Sequence, residues 1–120
     1  MNYNKSLATI KELKSLITQL NDCIVIVEGK RDVIALEKIG VNTHVFTYEK
    51  FIRDNIRGKN AVILTDYDRE GEVKRNIISS LLIERGIIEH EECRRKFERI
   101  FGVKTIEEVP PVFDEIIKGD

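Results

Sequence analysis

Apolar residues recur at helical spacing near the start of the chain. Leu7, Ile10, Leu13, Leu16, Ile17 and Leu20 fall on one face, which predicts an amphipathic helix over residues 4–20, closed by Asn21-Asp22. The pattern then changes. CIVIVEG (23–29) is a short continuous apolar run rich in β-branched side chains, as expected of a strand covered on both faces. Helical periodicity returns in DVIALEKIG and stops at Gly40, a residue suited to a helix C-terminus. Val41–Phe46 reads as a second strand, Glu49–Ile56 as a short helix closed by Gly58-Lys59-Asn60, and AVILT (61–65) as a third strand. A long helix is predicted over Arg69–Arg85, with Val73, Ile77, Ile78, Leu81 and Leu82 on its apolar face and Gly86 at its end. HEECRRKFERIFG (90–102) predicts another helix with Cys93, Phe97 and Phe101 as its stripe, Val103–Ile106 a last short strand, and Asp114–Lys118 a terminal turn of helix.

Strands and helices alternate from residue 23 to 85, which predicts an α/β fold of right-handed βαβ units around a parallel sheet. With no repeat, low-complexity tract or linker, 120 residues read as one compact domain, its core over residues 23–106 and its N-terminal helix over 4–20. The Leu7–Leu20 stripe either packs on the sheet or forms a homodimer seam, and the segment after Arg85 is the other surface open to a partner protein.

Composition narrows the function classes. Charged residues make up 34 % of the chain, yet the formal net charge is −1, so any basic footprint for a polyanion must be local. Cys23 and Cys93 match no metal or redox spacing and read as thiols of a reduced cytoplasm. No apolar run is long enough to span a bilayer, so no membrane partner is expected. His44 and His90 are isolated, which argues against zinc.

Candidate chemistry gathers at two strand ends. The first strand runs into Glu28-Gly29-Lys30 and the third into Asp66-Tyr67-Asp68-Arg69-Glu70-Gly71. Ligands of open α/β sheets sit beyond the carboxyl ends of the strands, where strand order reverses. If these two strands are neighbours, Glu28, Asp66, Asp68 and Glu70 converge on one crevice. Clustered carboxylates repel unless a cation joins them, and an oxygen-only donor set suits Mg²⁺, with Mn²⁺ as its substitute. Helix punctuation is the competing explanation: Asp is a good N-cap and acids suit the first turn. One cap needs one Asp, however, and Glu28 stands at the end of a different strand.

Lys30 and Arg69 flank the acids directly and are candidates to grip phosphate oxygens. Lys74 and Arg75 have the same option, but Glu70–Lys74 and Glu72–Arg75 also have the spacing of ordinary helix-surface ion pairs. Gly29 permits close approach of a ligand. Gly71, early in a helix, calls for a phosphate or a packed chain segment against it. Tyr67 alternates with two candidate ligands and should point away from them, which argues against a nucleophilic role.

VEGKRD (27–32) followed by LTDYDREGE (64–72) resembles the toprim domain, shared by topoisomerases, bacterial-type primases and several nucleases, including one that matures ribosomal RNA. The resemblance spans residues 23–85 and implies a Rossmann-like toprim fold: a short, mostly parallel sheet of about four strands flanked by helices. It also implies that Glu28 acts as general acid or base, that Asp66 and Asp68 bind Mg²⁺, and that Glu70 is an accessory ligand. The separate tyrosine-bearing domain of a topoisomerase and the template-binding apparatus of a primase do not fit in this length.

Two functions follow as expectations. One is a Mg²⁺-dependent nuclease or nicking activity on RNA or DNA, in which Glu28 moves the proton while Lys30 and Arg69 stabilise the phosphorane charge, with Gly29 and Lys74 helping to seat the phosphate. The other is a non-catalytic toprim module that binds nucleic acid or a partner protein. A phospho-acceptor receiver domain is disfavoured, because the first strand offers a single acid followed by Gly-Lys.

Overall fold

The computed structural model describes the backbone of residues 3–119 and the side chains of residues 9–119. Leu7, the first residue of the predicted N-terminal stripe, therefore lies outside the described side chains. Helix α1 (Tyr3–Asn21) leads into β1 (Ile24–Val27), α2 (Lys30–Lys38), β2 (Val45–Thr47), α3 (Tyr48–Arg53), β3 (Asn60–Ile63), α4 (Arg69–Arg85), β4 (Ile88–Glu89) and α5 (Glu91–Phe101). A 3₁₀ turn (Ile106–Glu108) then enters α6 (Val109–Lys118).

The four strands lie in the order β2-β1-β3-β4, all parallel, with Val25 opposite both Val45 and Val62. Every side chain of β1 is buried, as its unbroken apolar run requires. Alternate residues feed two cores. Val25, Val27, Val62 and Leu64 pack with α1, α2, α5 and α6, while Ile24, Ile26, Ala61 and Ile63 pack with Phe51 of α3 and with Ile78 and Leu82 of α4. The chain thus steps from β1 to β2 over one face and returns over the other. The strand order reverses between β1 and β3, which makes their C-terminal ends the switch point of the sheet.

Several expectations change in detail. Val41–Phe46 is mostly approach to the sheet, and β2 itself is Val45–Thr47. Val103–Ile106 is not a strand: it crosses the end of β3, and the fourth strand is Ile88–Glu89 instead, hydrogen-bonded to the chain before β3 through Ile88 N–H and Lys59 C=O (2.8 Å). On α4, Ile78 and Leu82 are buried as predicted, whereas Val73 and Ile77 face solvent at 55 % and 44 % exposure. Leu13, Leu16 and Leu20 of α1 are buried within the domain. Cys23 and Cys93 are buried free thiols, and burial pushes Cys93 up to about 11. Among the described residues no helix is long and apolar enough to cross a membrane.

Candidate metal centre

Residues just past β1 and β3 meet across the switch point. Glu28 Oε2 accepts a hydrogen bond from the backbone N–H of Asp66 at 2.7 Å, and Lys74 Nζ, one turn into α4, donates to Glu28 Oε1 at 2.9 Å. The Asp66 carboxylate accepts the backbone N–H of Ile106 at 3.0 Å through one oxygen. Burial pushes Asp66 up from its ordinary 3.8 to about 6; the Ile106 N–H opposes that shift, and the nearby charges of Glu28 and Asp32 add to it. Two carboxylates from different strands thus stand close enough to repel each other, with one cationic side chain balancing them.

The acids after Asp66 behave differently. Asp68 is the N-cap of α4, its Oδ1 accepting the Gly71 N–H at 2.7 Å. The punctuation reading is thus correct for one oxygen of one aspartate. Glu70, in the first turn, is exposed. Among the described residues no group of three or more acid, imidazole or thiol side chains forms a ready-made metal cluster. The expected convergence of four carboxylates is therefore reduced to the Glu28–Asp66 pair with Asp68 two residues on. Backbone N–H groups occupy one oxygen each of Glu28, Asp66 and Asp68, which holds the side chains in place. This set still fits Mg²⁺, which keeps several waters and takes one or two carboxylates, better than a cation that demands a full protein cage.

The flanking cations divide. Lys30 and Arg69 are exposed at the first positions of α2 and α4 and form no salt bridge among the described residues. Arg75 is taken up by ion pairs: the expected partner Glu72 stands at 3.9 Å, while Glu91 at 2.6 Å and Glu89 at 3.6 Å, beyond the helix, are closer. Lys74 does not: it reaches Glu28, 46 positions away in sequence, rather than closing a salt bridge with Glu70.

The two glycines serve different ends. A Cβ on Gly71 would stand 1.8 Å from the carbonyl oxygen of Asp66, so the packed-chain explanation holds and the residue lets α4 start directly beneath the acidic loop. A Cβ on Gly29 would meet nothing within 4 Å, which leaves open space beside Glu28 and Lys30. Asp32 closes the start of α2 by accepting the Gly29 N–H at 3.2 Å.

Tyr67 points away from the acids, as alternation requires. Its hydroxyl donates to the carbonyl of Arg94 at 2.9 Å, and burial pushes its pKa upward. Arg94 itself was not singled out from the sequence. It is 4 % exposed, lies 4.3 Å from the Tyr67 ring centroid, and donates to the carbonyls of Ile63 (3.1 Å), Thr65 (2.8 Å) and Asp66 (3.4 Å) and to the Glu72 carboxylate (3.0 Å). A buried guanidinium with this many acceptors fixes the path of the chain from β3 to α4. A signal was present: positions 94, 97 and 101 share helical spacing, which set an arginine on a buried stripe. Val103–Ile106, expected as a strand, serves the site through its backbone instead. Lys104 C=O accepts the Tyr67 N–H at 2.7 Å and Ile106 N–H holds Asp66.

The sequence profile described as Toprim domain matches residues 22–88. The UPF0292 protein of Methanosarcina barkeri is 32 % identical over 97 % of this chain and 86 % of its own length. The UPF0292 protein of Methanocaldococcus jannaschii is also 32 % identical, over 97 % of this chain and 93 % of its own length. Among solved structures, a putative protein from Aquifex aeolicus superposes with a TM-score of 0.69 at 26 % identity, covering 82 % of this chain and 95 % of that one.

Proposed function

The chain belongs to the toprim domain family, and from that premise we propose that it is a Mg²⁺-dependent protein acting on nucleic-acid phosphodiester bonds, as a nuclease or nicking activity on RNA or DNA in the cytoplasm. The observation that carries this reading is the contact between Glu28 and Asp66 at the switch point, with Asp68 alongside. Asp66 and Asp68 are the residues that would hold the ion, with Glu28, which contacts Asp66, and the exposed Glu70 as supplementary ligands. Mg²⁺, or Mn²⁺ in its place, supplies charge neutralisation of the phosphate and an acidified water when bound.

The chain's own residues account for the rest. Glu28 takes the proton from the attacking water, its negative charge balanced by Lys74 at 2.9 Å. Lys30 and Arg69, at the first turns of two helices whose N-termini both face the crevice, attract phosphate oxygens together with the helix dipoles. The open space at Gly29 admits the phosphate beside them. Cleavage of end-labelled RNA and DNA with Mg²⁺, comparing the native protein with Glu28→Gln, tests the reading. Product from the native protein, lost in EDTA and reduced at least ~100-fold by Glu28→Gln, is expected from removal of a general base.

A non-catalytic module is the second reading. It is favoured by the absence of a ready-made ligand cluster among the described residues and by Lys74 occupying one oxygen of Glu28. Retained oligonucleotide binding with no cleavage in either metal supports it over the first.

A further inference from the structure

The near-neutral chain concentrates positive charge along the free edge of β2. Two depressions lie there. One, of about 420 Å³, opens at the C-terminal end of the strand and is lined by Lys30, Lys50 and Arg53 around Val33 and Phe46. The other, of about 290 Å³, lies at the opposite end and is lined by His44, Arg57 and Lys59, again with Phe46. Glu49 and Asp22 are the acids on these walls. Glu49 is engaged with Arg53 at 3.5 Å, and Arg53 also meets Asp54 at 3.0 Å. Lys30, Lys50, Arg57 and Lys59 are exposed and form no salt bridge among the described residues.

Both depressions are lined by Phe46, a half-buried residue of the edge strand that also packs against the core beneath α3 and α4. The first depression includes Lys30, two residues after Glu28, at the end of the sheet where the candidate metal centre lies. A row of exposed cations with an aromatic face between them suits a flexible polyphosphate whose bases are free to stack. A duplex, with its bases hidden, offers only the phosphates.

We infer that the β2 edge is a binding groove for single-stranded nucleic acid, which lays its phosphates along Lys50, Arg57 and Lys59, stacks a base on Phe46, and delivers the neighbouring phosphodiester to Glu28 and Asp66. The inference rests on the reading of the site as one that handles nucleic-acid phosphates.

Fluorescence anisotropy of a dye-labelled single strand of about 15 nucleotides, near the upper end of the site size of stacking proteins, tests it, with RNA, DNA and a matched duplex as separate arms. The native protein is expected to bind a single strand more tightly than the duplex, in EDTA as well as in Mg²⁺. Lys50→Glu/Lys59→Glu should weaken that binding at least tenfold and flatten the log–log salt slope by about 1.4, the share of two phosphate contacts on a single strand. Phe46→Leu, which keeps an apolar side chain in the core, should weaken it at least ~5-fold. Melting curves identify a variant that has lost its fold; the charge reversal, on exposed residues, keeps the test decisive if Phe46→Leu does so. Native binding that both variants retain, or equal affinity for duplex, overturns the groove while leaving the reading of the metal centre intact. No binding of any strand by the native protein overturns both.

Discussion

Glu28 and Asp66, 38 positions apart in the chain, are joined by a 2.7 Å hydrogen bond from the backbone N–H of Asp66 to the carboxylate of Glu28. That bond ties the end of β1 to the end of β3, so the same carboxylate proposed to move a proton also holds the acidic loop in place. The two roles separate by substitution. Glu28→Ala leaves a part-buried N–H and Lys74 without their acceptor and should lower stability by about 1–3 kcal/mol. Glu28→Gln keeps one acceptor oxygen for the Asp66 N–H but loses the charge pair with Lys74; it should cost less stability than Glu28→Ala and should still lose cleavage. Urea unfolding of the two variants beside the cleavage assay reads both effects.

Asp66 is pushed up from 3.8 to about 6, chiefly by burial. Its folded-state pKa lies above its unfolded value, so the folded state holds the proton more tightly. The associated stability is present below pH 3.8 and is lost as pH rises through about 6. In EDTA, melting temperatures of the native protein should therefore fall relative to those of Asp66→Asn across that window. Parallel curves for the two proteins would contradict the assignment.

Arg94 binds the carbonyls of Ile63, Thr65 and Asp66 in a fork that a lysine cannot reproduce. Arg94→Lys should lower stability by about 2 kcal/mol or more, because buried carbonyls lose their donors. It should also weaken Mg²⁺ binding, since the loop carrying Asp66 and Asp68 loses its anchor. Calorimetric titration of the folded variant measures the second effect apart from the first.

Tyr67 invites suspicion by position and is cleared by packing. Tyr67→Phe removes one hydrogen bond to the Arg94 carbonyl, at about 1 kcal/mol. Cleavage should persist within a few-fold. Complete loss of activity in a folded Tyr67→Phe protein would give the hydroxyl a chemical role.

These residues also mark what the chain reveals on inspection and what it conceals. β1, β3 and α4 are legible because their signals are local: an unbroken β-branched run, then an aspartate cap, then helix to a glycine in the left-handed region at Gly86, with α4 running from Arg69 to Arg85 as predicted. Adjacency of β1 and β3, on which the candidate site depends, is not legible in the same way: alternation of strands and helices implies a parallel sheet, and the order β2-β1-β3-β4 comes from the structure. Val103–Ile106 misleads because three β-branched residues (Val103, Thr105 and Ile106) suit a strand, yet the segment crosses the end of β3 instead. Ile88–Glu89 is too short to carry a pattern. The periodicity puts Val73 and Ile77 on the buried face of α4, yet the helix turns its Gly71, Ile78 and Leu82 side inward, with Gly71 passing beneath the Asp66 carbonyl. Lys74 and Arg94 act on partners far away in sequence, which no local spacing encodes.

Carboxylates from the ends of two strands are proposed to hold a hard divalent ion at the switch point. Isothermal titration of the protein with Mg²⁺, repeated with Mn²⁺, tests it most directly, using the native chain beside Asp66→Asn/Asp68→Asn. Saturable binding at millimolar concentration or below is expected, weakened at least ~10-fold in the double variant by loss of two carboxylate ligands. A native protein that ignores both ions, or a double variant that binds them as well as the native chain does, would contradict it.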